Sequence, residues 1–186
     1  MSDSDDGFTL VELLIYIGLS IVVLLIVGGI FINSVNAERS VRGVNSATNT
    51  GQLAAQSVTN GVRNSSNIKL TAPSAGTQLL MTRSVGSAAT PIWTCNAWHF
   101  GNGEIRWRQS ATAIAAPTAA QLATWTVLNA DVKTAGSAPA FALTARRIDL
   151  TFESKNGTSK AVLIKTSAAS RQPPPAGADS PICFSP

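Results

Sequence analysis

Residues 8–32 read FTLVELLIYIGLSIVVLLIVGGIFI, 25 positions with one ionisable side chain, Glu12. Coiled as an α-helix the stretch is about 37 Å long, enough to cross a hydrocarbon core of about 30 Å. Ile and Val are frequent, yet in lipid a helix satisfies its own backbone hydrogen bonds and an isolated strand cannot. A buried helix of a soluble protein is the competing reading, and so long an apolar run argues against it. A secretory signal peptide is the second competitor, with Val35-Asn36-Ala37 as its small-residue cleavage site. Against it, the run exceeds the usual 7–15 residues and the leader is acidic.

The rest of the 186 residues has a different character. The chain carries 14 Lys and Arg against 10 Asp and Glu, but residues 1–38 hold Asp3, Asp5, Asp6, Glu12 and Glu38 and no base. All 14 basic residues lie in 39–186, where five acidic ones (Glu104, Asp131, Asp149, Glu153 and Asp179) oppose them, a local net charge of +9. An acidic tip, an apolar segment and a basic body follow one another. A mean hydropathy of +0.18 with 13% charged residues excludes a disordered chain. One His and two Cys exclude His-rich and four-Cys metal sites, so no metal and no cofactor is expected. No nucleophile–base constellation or phosphate loop points to an enzyme, and a triad would have to run through His99.

Glu12 is the informative position. A carboxylate near the start of a membrane helix costs roughly 2.5–3.5 kcal/mol, less at the interface, and such groups usually have a partner. Thr9-Leu10-Val11-Glu12 fits the capping box S/T-x-x-E, which accounts for a Glu near a helix start. It does not account for Gly7 and Phe8 directly ahead, or for the acidic residues before them.

Gly7-Phe8-Thr9-Leu10-Val11-Glu12-Leu13-Leu14 resembles the N-terminal signature of class III signal sequences, found in type IV prepilins and type II secretion pseudopilins. The resemblance implies a leader, residues 1–7, removed by a prepilin peptidase between Gly7 and Phe8, with N-methylation of Phe8. It implies a helix that is first stored in the cytoplasmic membrane, single-pass with its N-terminus inside, and then moved into an extracellular filament. Its partners would be other pilin or pseudopilin subunits. In a filament core the ammonium of Phe8 would be a buried cation, and Glu12 of a neighbouring subunit would neutralise it. Charge alone favours the opposite orientation, because Arg39 and Arg42 follow the span while the leader is acidic. The resemblance implies the other orientation, since a processing site on the cytoplasmic side would keep the N-terminus inside.

Beyond Ile32 the pattern remains helical. Val41, Val44, Thr48, Gly51, Ala55, Val58 and Val62 fall at steps of three and four, one helical stripe. No Pro occurs before Pro73. One helix from Phe8 to Asn64 is expected, its amphipathic part (33–64) entering a head. Ser, Thr and Asn make its propensity poor, so packing must hold it, with Gly43, Gly51 and Gly61 as weak points. The alternative is a loose helical linker.

Residues 65–186 read as strands and turns. Candidate strands are Asn67–Leu70, Gln78–Arg83, Ile92–Phe100, Glu104–Arg108, Thr124–Val132, Phe141–Ala145, Arg147–Glu153 and Lys160–Thr166. Gly101-Asn102-Gly103 and Asn156-Gly157 mark hairpin loops. Alternation in Ile148, Leu150 and Phe152 against Asp149, Thr151 and Glu153 predicts half-buried antiparallel sheet. Pro117–Leu122 reads as a short helix and Ala168–Ala178 as an extended Pro-rich tail. The fold class expected is α+β, a long helix packed on an antiparallel head, as in pilins. Leu53–Leu70 followed by Trp125–Val132 and Phe141–Arg171 is similar to the J-type pseudopilin and minor-pilin group.

Cys95 and Cys183 suggest a disulfide if the head lies outside the membrane, and two free thiols if it faces the cytoplasm. Trp93, Trp98, His99, Phe100, Arg106, Trp107 and Arg108 form the aromatic–basic cluster. Arg106 and Arg108 are candidates for a DNA- or surface-binding patch. The duller reading puts the Trp side chains in the core and the Arg side chains on a solvated face, with His99 structural and Arg146-Arg147 a solvated pair. Three function classes follow: a minor structural subunit of a type IV pilus or type II secretion filament, a filament-tip adhesin or DNA-binding pilin, and an unrelated membrane-anchored surface protein.

Overall fold

The computed structural model describes residues 9–72, 74–85, 92–173 and 183–184. Helix α1 runs Leu10–Arg63. Nine strands follow: β1 Ser65–Thr71, β2 Gln78–Val85, β3 Trp93–Gly101, β4 Glu104–Ser110, β5 Thr126–Ala130, β6 Val132–Thr134, β7 Phe141–Thr144, β8 Arg147–Ser154 and β9 Val162–Ala169. A short helix α2, Ala119–Ala123, precedes β5. The protein is α+β, a long N-terminal helix with antiparallel sheet packed on it. The chain divides into two units at Val41/Arg42.

In the first unit the helix starts at Thr9. Its hydroxyl accepts from the Glu12 amide at 3.3 Å and its carbonyl from the Leu13 amide at 3.1 Å, so Thr9 satisfies donors that a helix start leaves open. From there to Ile32 every side chain is exposed; Ile17, the least exposed of the large apolar ones, keeps 49% of its surface.

In the second unit two sheets enclose the later turns of α1. β1-β2-β3-β4-β5 form an antiparallel meander. In the other sheet β8 pairs with β6 and β7 along one edge and β9 along the other, all antiparallel. Their inner faces meet α1 in one core: Ala54, Ala55, Val58 and Val62 from the helix, Leu80, Trp98, Phe100 and Ile105 from the meander, and Phe141, Ile148, Leu150, Phe152 and Ile164 from the second sheet. Each large apolar side chain so buried contributes about 1.5–3 kcal/mol. The Gln78 amide joins the sheets in the manner of a strand, donating to the Phe141 carbonyl and accepting from its amide, both at 2.8 Å.

The buried arc of α1 is wider than the stripe read from the sequence. Ala47, Ala54 and Thr59 are buried as well, whereas Val41 is 58% exposed. Two sheets approach from two sides, so one stripe cannot serve both. The small residues permit that approach: a Cβ on Gly51 would lie 2.8 Å from Ile164 Cγ1, and one on Gly43 2.7 Å from Ser159 Cβ. Those glycines are seats for side chains of the head. Polar helix residues find local partners, Thr48 Oγ1 donating to the Val44 carbonyl at 2.8 Å and Thr50 Oγ1 to Ser46 at 3.0 Å.

The expected strand Thr124–Val132 is two. Asp131 has φ +59°, and there the chain leaves β5 in the meander for β6 in the second sheet. The β3–β4 hairpin turns on Asn102 and Gly103 with φ +54° and +78°, the both-positive pattern of a type I′ turn.

Candidate functional site

Of the residues assigned to processing and assembly, Gly7 and Phe8 lie outside the described residues, and so does the cleavage between them. Glu12 is exposed in the first turn of α1. Among the described residues, α1 is the one helix long and apolar enough to cross a membrane, with mean hydropathy 2.9 over its most apolar window and none of that window buried.

The aromatic–basic cluster divides across the two faces of the meander. Trp98 is in the core and its Nε1 donates to Ser57 Oγ of α1 at 2.9 Å. Trp107 packs half-buried on the same core, and Trp93 lies at the sheet margin with the Arg83 guanidinium 5.0 Å from its ring centre. The opposite face is not solvated, contrary to the alternation in Glu104, Arg106 and Arg108. Leu79, Met81, Cys95 and Ala97 are buried there beneath Ile114, Trp125 and Cys183. Both faces of β2 and β3 are therefore covered. The unbroken apolar runs Leu79-Leu80-Met81 and Ala97-Trp98 signal strands buried on both sides.

A disulfide joins Cys95 and Cys183, which are 88 residues apart with Cα atoms 5.3 Å from each other. Beside it the Ile114 amide donates to the Cys183 carbonyl at 3.2 Å, and Ile114 forms a parallel bridge with Phe184. The cover over the meander is thus tied to β3.

Arg106 belongs to this cover. It pairs with Glu104 and donates through Nη1 to the carbonyls of Leu122 at 3.1 Å and of Ala123 and Trp125 at 3.4 Å. The Leu122 and Ala123 carbonyls lie at the C-terminal end of α2, where a cation is favoured. Arg108 is exposed on the same strand. The two candidates thus differ in kind, one a clamp and one open to solvent. His99, opposite Arg106 in the register, is 4% exposed, and its Nδ1 has no partner among the described residues. Burial, and then the Arg106 guanidinium, hold its imidazole below the ordinary 6.5. Arg147 pairs with Asp149 at 2.7 Å, but Arg146 is no solvated partner: it donates to the Ser66 and Gln172 carbonyls and to Ser170 Oγ, holding the chain after β9 against the start of β1.

Among the described residues no three His, Cys, Asp or Glu side chains gather as a metal ion would require. Comparison with protein families, curated proteins and solved structures finds no match to this chain.

Proposed function

We propose that the protein is a prepilin-like subunit, a minor component of a type IV pilus or type II secretion-type filament, which assembles through α1 after loss of residues 1–7. The observation that carries this reading is a helix start capped by Thr9, with Glu12 the lone charge in an apolar segment exposed on every side. Such a segment must be covered by lipid or by other helices, and a filament offers the second in exchange for the first. The cytoplasmic membrane and the prepilin peptidase act before assembly, and like subunits after it, with Glu12 pairing the ammonium of a neighbour's Phe8. Mass analysis of the N-terminus of the protein from its native host tests the reading. A chain beginning at a methylated Phe8 is expected; one still beginning at residue 1, or lacking the whole apolar stretch, overturns it.

A further inference from the structure

Between the end of β4, the connection after it and α2 the cover leaves a solvent-open cavity of about 210 Å³. Its polar lining is Arg108, Ser110, Thr112, Gln121 and Trp125, and among the described residues none of the lining is acidic. Ser110 and Thr112 bond to each other at 3.1 Å, and the Gln121 Oε1 accepts from the Thr118 amide at 3.0 Å, which leaves the Gln121 NH₂ as a donor. Trp125 is 4% exposed and its buried Nε1–H has no acceptor among the described residues. A buried donor without an acceptor is unfavourable, so a ligand that supplied one would relieve that cost. The cavity is therefore lined by a guanidinium and neutral donors, with Ile114 and Pro117 supplying apolar wall.

We propose that this cavity is a binding site for a small organic monocarboxylate. The guanidinium fork of Arg108 matches the two oxygens of a carboxylate, and one positive charge with neutral donors suits a monoanion better than a phosphate dianion. The apolar wall takes a short hydrocarbon body, and the volume lies below the roughly 300–1,000 Å³ of sites for larger ligands. The Trp125 indole lies in the cavity wall, so a carboxylate held there alters the surroundings of its Nε1–H. The Cys95–Cys183 bond holds the wall through Ile114, which lowers the cost of organising the site. The site is independent of the filament reading, since it involves no residue of α1.

Indole resonances of the full ¹⁵N-labelled chain in detergent micelles, titrated with sodium butyrate at constant ionic strength, test the proposal; Trp125→Phe assigns the resonance by its loss. Expected are a saturable shift of the Trp125 Nε1–H signal, roughly tenfold weaker binding in Arg108→Gln, and no such shift with butanol. The proposal is overturned if butyrate gives no saturable shift, if sodium phosphate gives an equal one, or if Arg108→Gln binds as tightly as the native chain. The unchanged Trp98 signal, fixed by its bond to Ser57, reports that the head of each variant remains folded.

Discussion

Gly61 and Trp98 occupy one space: a Cβ built on Gly61 would lie 2.1 Å from Cη2 of the Trp98 ring, whose Nε1 is already held by Ser57 one turn earlier on α1. The ring cannot retreat without losing that bond or its place in the core. Gly61→Ala is therefore expected to destabilise the head by about 1–3 kcal/mol, the usual cost of overpacking a filled core. Thermal unfolding followed by circular dichroism checks it. Gly28→Ala, with nothing within 4 Å of the added atom, leaves the same transition unmoved.

Replacing both Cys95 and Cys183 with Ser should lower stability by about 4 kcal/mol in the chain-entropy account of a loop this long. The loss has a local signature as well. The Ile114 amide, which donates to Cys183, should exchange with deuterium far faster, while amides of β8 facing β9 lose protection only in step with global stability. Equal loss of protection at both places would mean that the bond does not hold the cover.

How much of this was legible before folding depended on whether the determining partner was near in sequence. The helix, the β3–β4 turn and the β8 alternation are written in local spacing, and their bounds agree with the strands found to within a few residues. The double cover of the meander was less accessible, since Ile114, Trp125 and Cys183 come from distant segments, although the unbroken apolar runs of β2 and β3 carried the signal. The break at Asp131 is not legible locally, because an Asp inside an apolar run looks like one outward position of a strand; its positive φ marks where the chain passes from one sheet to the other. Arg106 reads as a surface charge because no spacing rule announces that α2 will end above it.

The imidazole of His99 gives a pH dependence with a definite sign. Its folded pKa lies below 6.5, by burial first and by Arg106 second, while the unfolded chain takes up a proton near 6.5. Below that pH the unfolded state binds more protons, so stability is full above pH 6.5 and falls as the pH drops toward the folded value. Melting temperatures measured downward from pH 7.5 should show this decline, and His99→Gln should flatten it. An unchanged slope in that variant would assign the dependence to other groups.

Ala145 turns the β7–β8 hairpin with φ +53°, a left-handed conformation that crowds its Cβ against the following carbonyl. Ala145→Gly removes that contact and should stabilise the head by about 1 kcal/mol, within the range of the left-handed penalty for L-residues. The greater freedom that Gly brings to the unfolded chain works the other way, so the measured gain falls at the lower end. Denaturant midpoints at constant slope distinguish this gain from a change in the unfolded state.

Arg106 and Arg108 stand two residues apart on β4, yet truncation is expected to destabilise the head at the first and to leave it unchanged at the second. Arg106→Ala strips the carbonyls of Leu122, Ala123 and Trp125 of a charged donor and leaves Glu104 without its cation. A loss of roughly 2 kcal/mol, with faster exchange in α2, is the expected outcome. Arg108→Ala, an exposed change with no bond to break among the described residues, should leave stability within about 0.5 kcal/mol of the native value. The contrast bears on any attempt to find a DNA or surface ligand by removing both residues together. Loss of binding in the double variant would confound a collapsed cover with a lost contact, whereas Arg108→Ala alone removes the exposed charge and keeps α2 seated. Retention of DNA or surface binding in that single variant would rule out this strand as the patch.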